Sequence, residues 1–166
     1  MKKSIYLLLF MIVPLLAASN LVKAPEASDA DMIIGNWQPS NGRSVVKIYK
    51  GNKDGEDSNK YYGKIIWLKE PNDENGEPRT DINNEEESLK SKPLKGLVII
   101  KDLEFVEVDG KDIIWDEGTI YDPNNGTEYR FKATINKKNK NTMAGKGYIG
   151  VSLFGREDTW TRLVKK

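Results

Sequence analysis

Apolar and polar residues alternate strictly along 127–135, where Tyr129, Phe131, Ala133 and Ile135 are separated by Arg130, Lys132 and Thr134. A period of two is the pattern of a β-strand with one dry and one wet face, and it predicts that these four side chains point inward. The strand follows Asp122-Pro123-Asn124-Asn125-Gly126. There Asp accepts a local hydrogen bond, Pro presets φ for a type I turn, and Gly supplies a left-handed exit. Similar runs at 44–49, 60–68, 96–101, 113–121, 142–151 and 155–164, with 32–38 as a possible first, give seven or eight strands. The segments 51–59, 109–112, 122–126 and 136–141 are short enough to join antiparallel neighbours. The pattern is all-β, a barrel or a sandwich.

The stretch 69–95 breaks the alternation. It is polar, contains Pro71, Pro78 and Pro93, and has a local helix signal in which Asn83 or Asn84 caps a first turn of Glu85, Glu86 and Glu87. A helix of about two turns, stopped by Pro93, is expected there. Long connections of this kind in a small domain are functional or mobile.

The N-terminus has another character: Lys2 and Lys3 precede an apolar run, 5–18, that holds Pro14 and ends in Ala17, Ala18 and Ser19. This is the pattern of a secretory signal peptide, and the run is too short to span a bilayer. The expected organisation is a signal peptide over 1–19, a flexible segment over 20–31 and one β-barrel domain over 32–166. The chain is expected to be exported, periplasmic or extracellular, with no membrane span after cleavage. It has no Cys, so neither a lipid anchor nor a disulfide is available.

His is also absent, which excludes Ser-His-Asp and Cys-His nucleophiles and the usual zinc, haem and iron–sulfur ligand sets. No cofactor or metal is expected. Asp73, Asn75, Gly76 and Glu77 loosely resemble a calcium loop, but Pro71 and Ile82 occupy positions where ligands are required. The chain carries 26 basic residues, of which Lys2 and Lys3 fall in the leader, against 25 acidic ones. Such balance gives no footprint for nucleic acid, and Lys137, Lys138 and Lys140 read as a solvated hairpin loop. Trp37, Trp67, Trp115 and Trp160 lie on different strands, as core filler for the most part, while the tyrosines carry a polar handle.

Several motifs together resemble a family. They are Gly35-x-Trp37, the run from Tyr62 to Asp73, Thr80-Asp81-x-Asn83-Asn84, Pro93-Leu94-x-Gly96-Leu97, Gly118-x-Ile120-Tyr121-Asp122-Pro123, and the segment from Gly147 through Arg156 and Trp160 to Arg162. The chain is similar over 33–163 to an uncharacterised family of small exported bacterial proteins, a domain of unknown function with lipocalin-like topology. The resemblance implies an antiparallel up-and-down barrel of about eight strands with one short helix in the 69–95 loop. It also implies that Trp37 packs against a basic side chain of the last strand, Arg162 or else Arg156, as a structural closure. Some members carry cysteines near the positions of Tyr61 and Tyr62; this chain has none, so no redox role is carried over.

Three functions are open. One is a binding or carrier protein for a small apolar or amphipathic ligand; Trp67, Glu70, Asp81, Tyr121, Tyr148 and Arg156, which cluster at strand ends and in the long loop, are its candidate site. The second is an envelope protein that binds a protein partner through the 69–95 loop. The third is a hydrolase of glycans or lipids using paired carboxylates among Glu70, Asp73 and Asp81.

Overall fold

The computed structural model describes residues 27–53, 55–150 and 155–164. The predicted leader and most of the segment after it lie outside these residues. A short helix α1 (Ala27–Ala30) and a 3-10 turn (Asp31–Ile33) lead into eight strands. These are β1 (Gly35–Gln38), β2 (Ser44–Lys50), β3 (Tyr61–Leu68), β4 (Val98–Asp109), β5 (Asp112–Asp122), β6 (Thr127–Asn136), β7 (Asn139–Tyr148) and β8 (Gly155–Arg162). Each pairs antiparallel with the next, and β8 returns to β1 through Trp37↔Arg162 and Gln38↔Thr161, so the sheet is a closed barrel with no free edge.

Strand positions follow the alternation, and the departures have local causes. β4 runs well past residue 101 because Leu103, Phe105 and Val108 continue the apolar pattern beyond a bulge at Asp102, whose φ is 53°. A second bulge in β5 puts Glu117 at φ 63°. Each inserts one residue and flips the parity beyond it. The expected two-turn helix after Asn84 is instead a single 3-10 turn, Glu87–Leu89. Asn84 Oδ1 accepts from the Glu86 amide at 2.9 Å, but Glu86 itself is extended, so the chain turns without propagating a helix.

Two ends of the barrel differ. At one end the residues before β1 form a plug. The Trp37 indole donates to Ile33 O (2.8 Å), the Trp115 indole to Ala30 O (3.0 Å), and the Tyr61 hydroxyl to Asp31 Oδ1 (2.8 Å). Arg162 lies with Cζ 4.2 Å from the Trp37 ring centre and donates to the carbonyls of Lys140, Ile34 and Met32. The other end, where β1, β3, β5 and β7 finish, carries the long 69–97 connection.

Between the ends the interior is filled. Trp37, Trp115, Phe131, Ile113, Ala133, Ile135 and Met143 are at most 1 % exposed. Of the four β6 residues expected inside, Phe131, Ala133 and Ile135 are buried and Tyr129, nearest the open end, is half-buried. Large side chains on one strand fill space vacated on the next: Ile100 lies over Gly63, and the Leu103 backbone crosses so close to Gly118 that an added Cβ would sit 2.7 Å from it. Among the described residues the core is matched in this way and filled by its own side chains.

Candidate functional site

The open end is the first place where chemistry and space meet. On β8, Trp160 packs inside against Phe131 at 6.1 Å between ring centres, so alternation places Arg156 and Asp158 on the same inner column nearer the mouth. Their cross-strand partners are Gly147 and Gly145. The Phe131 ring already fills the space over Gly145, whereas at Gly147 an added methyl would find only ordinary contacts of 3.7 Å, with Ile120 and Tyr129. A recess with room for about one methyl group is therefore bounded by Ile120, Tyr129 and Gly147, with the exposed Arg156, and Asp158, which accepts from the Ser40 amide at 3.3 Å, on the β8 side. The Trp160 indole nitrogen lies beside Gly145, 3.4 Å from where a methyl group on that residue would sit. None of the ion pairs among the described residues involves Arg156.

Asp81 and Tyr121 meet, in another place. Asp81 is fully buried, accepts from the Tyr121 hydroxyl (2.8 Å) and from Asn84 Nδ2 (2.7 Å), and ties its own amide to Lys92 O. Burial, and then the bond to the Asp81 carboxylate, push the Tyr121 hydroxyl up to about 12. Nearby, Asn83 Nδ2 donates to the carbonyls of Pro123 and Asn124, and Gly126 packs directly beneath Asn83 O. The long connection is thus latched onto the β5–β6 hairpin. It is also bonded to itself, through Thr80↔Pro93, Asn72↔Pro78 and Leu94 N to Arg79 O.

The other candidates stand apart. Glu70 is exposed and paired with Arg79 Nη2 at 3.2 Å. Tyr148, on the outer face of β7, donates to Asp116 Oδ1 at 3.0 Å, in a network with Arg130, Glu117 and Lys132. Burial and then Asp116 raise its pKa. Trp67 is 45 % exposed and lines a groove of about 390 Å³ outside the barrel with Asn36, Gln38, Val45, Ile66 and Leu163. So one pair, Asp81 and Tyr121, is in contact, and Arg156 alone faces the mouth. The residues that sequence reasoning missed are Ile120, Tyr129 and Gly147, which line the recess. The alternation of β6 and the pairing of two glycines with charged residues on β8 were the available signals.

The carboxylates do not form an acid–base pair. Asp81 is buried against Tyr121 and Asn84, Glu70 is bound to Arg79, and Asp73 Oδ1 accepts from the amides of Asn75 and Glu77 in its own turn. A second cavity, about 490 Å³, lies by the plugged end between Tyr61, Lys60 and Phe105, where Lys60 is paired with Glu104 at 2.8 Å.

Comparison with known proteins places this geometry. The family model described as "Uncharacterized protein conserved in bacteria (DUF2147)" matches residues 35–162. Among solved structures, a Helicobacter pylori protein described as belonging to the lipocalin family, HP1028, superposes with a TM-score of 0.61 at 20 % identity. The match covers 79 % of this chain and 82 % of that one. No curated protein matches the sequence.

Proposed function

We propose a small-molecule-binding function for this chain, which belongs to the DUF2147 family and folds as a lipocalin-like barrel. The ligand is an apolar or amphipathic molecule that enters end-on at the open mouth. Its apolar part meets Ile120 and Tyr129, and its polar part meets Arg156. The observation that carries this reading is Arg156, exposed on the inner column of β8 and in no ion pair among the described residues, across the ladder from the apolar gap that Ile120 and Tyr129 leave over Gly147. An unpaired cation beside an apolar gap suits the polar head of an amphipathic ligand. The filled core below Phe131 favours a ligand held at the mouth over one enclosed in the barrel. We place the protein outside the cytoplasm, on the strength of the Lys2-Lys3 and 5–18 leader pattern.

The partner reading through the 69–95 loop has less behind it, because Asp81 and Asn83 are spent on the chain's own hairpin. A hydrolase reading has less still, because its candidate carboxylates are already engaged. The test is native mass spectrometry of the protein purified gently from its own cell envelope. A reproducible added mass of small-molecule size, reduced in Arg156→Ala and in Tyr129→Ala, is the expected result. A clean unliganded mass in repeated preparations, or an added mass indifferent to both substitutions, overturns the proposal.

A further inference from the structure

The groove beside Trp67 lies on the outer face of the barrel and is separate from the mouth. Its floor is apolar, from Val45, Ile66 and Leu163, and Trp67 stands in it 45 % exposed. The chain continues from Leu163, 41 % exposed, to Val164, 72 % exposed, so the apolar surface extends along the β8–β1 seam. Single exposed apolar residues are ordinary; a contiguous set that includes a Trp marks an interaction surface.

The charges around the groove identify its partner. Asn36, which lines it, registers with Lys47, and Lys47 registers directly with Lys64, so two lysines face each other across the β2–β3 ladder. Like charges directly opposite are destabilising, and neither is paired with a carboxylate among the described residues. Arg43 and Lys69, joined by a backbone bond of 2.8 Å where β2 begins and β3 has ended, add two more unpaired cations. Glu70, next along the chain, is taken by Arg79. A near-neutral protein therefore gathers positive charge around its exposed Trp. Pairing of two copies through this face would set each basic set against itself in a two-fold contact, which disfavours a second copy as occupant.

We infer that this face docks on an anionic lipid bilayer, with Trp67, Leu163 and Val164 entering the interface and Arg43, Lys47, Lys64 and Lys69 meeting the headgroups. An indole, apolar in body and polar at its N–H, suits the headgroup boundary, and basic side chains gain affinity from an anionic leaflet. The inference stands independently of the ligand proposed for the mouth.

The test uses the protein as purified from its own cells, with vesicles of phosphatidylcholine alone or with phosphatidylglycerol added. Of the four tryptophans, Trp37, Trp115 and Trp160 are buried, so a blue shift of emission on vesicle addition reports Trp67. Co-sedimentation with the anionic vesicles only, with a blue shift that Trp67→Phe abolishes, is expected. Lys47→Glu should lower the partition coefficient about tenfold or more, since it removes one cation and adds one anion. That change sets opposite charges across the Lys47–Lys64 ladder position, and an unchanged circular dichroism spectrum and Tm in the variant separate loss of binding from loss of fold. Equal binding to neutral vesicles, or undiminished binding by Lys47→Glu, overturns the inference. So does a Trp67 shift elicited by a soluble fatty acid without vesicle binding, which would make the groove a small-molecule site. Self-association that Lys47→Glu strengthens would overturn it in favour of a second copy.

Discussion

Removing Arg162 should loosen the closure of the barrel. Its guanidinium stacks on Trp37 at 4.2 Å and donates to three carbonyls that belong to different segments: Lys140 on β7, and Ile34 and Met32 in the plug. The stacking is worth about 1 kcal/mol at a half-buried site. The bond to the part-buried Met32 carbonyl adds about 1.5 kcal/mol, and the two more exposed bonds add about 0.5 kcal/mol each, since water replaces much of what is lost there. Arg162→Ala is therefore expected to cost about 3.5 kcal/mol, a large fraction of the roughly 5–15 kcal/mol that holds such a domain. Urea unfolding followed by tryptophan fluorescence should show the midpoint falling by about 1.8 M, for a slope of about 2 kcal/mol/M. Arg162→Lys should recover less than half of the loss, because a single ammonium cannot fork among three carbonyls. The reasoning is refuted if the alanine variant loses less than about 1 kcal/mol, or if the lysine variant unfolds at the wild-type midpoint.

Gly126 sits at φ 73°, and an added Cβ would fall 2.0 Å from Asn83 O; Gly126→Ala should therefore release the 69–97 connection, seen as faster proteolysis within it and a lower Tm. Left-handed strain alone would cost about 1 kcal/mol, so a loss of this size with unchanged proteolysis would mean that the latch is not the reason for glycine. Tyr121 binds its proton more tightly folded, with pKa about 12, than unfolded, near 10. Its contribution to stability is therefore complete below about pH 10 and is lost as pH rises through about 12. Thermal unfolding across that window should show a Tm decline that is shallower in Tyr121→Phe than in wild type, and equal declines would contradict the assignment.

Most of the architecture was legible because a strand with one wet face writes its period into the sequence. Tyr129 to Ile135 on β6 is the clearest case, and the Asp122-Pro123 turn that precedes it shows the expected local chemistry. The Asn124 amide donates to Asp122 Oδ1 at 2.9 Å, and Gly126 takes a left-handed φ. What the pattern misjudged was local competition: Asn84 and the three glutamates satisfied a capping rule, yet the segment's bonds to β5–β6 and to itself left room for one 3-10 turn only. Propensity was overruled by tertiary contacts, as it often is for short segments.

The candidate site was harder to read for a reason that lies in the bulges. Trp67, Tyr121 and Tyr148 stand at the ends of β3, β5 and β7, and Arg156 at the start of β8, so all four lie at one end of the barrel. Whether each faces in or out depends on parity, and parity changes wherever a residue is inserted. Between Val46↔Ile65 and Val45↔Trp67 the register admits Ile66 as an extra residue, and Trp67, in phase with the inward Tyr61 and Ile65, lines the outer groove instead. Bulges concentrate at barrel rims, where strands must bend apart to accommodate loops. The rim is also where recognition takes place, so the positions most relevant to function are those whose facing a period-two rule is least able to assign. Residues that a linear reading gathers into one pocket thus divide between an inner recess and an outer surface, and only coordinates can sort them.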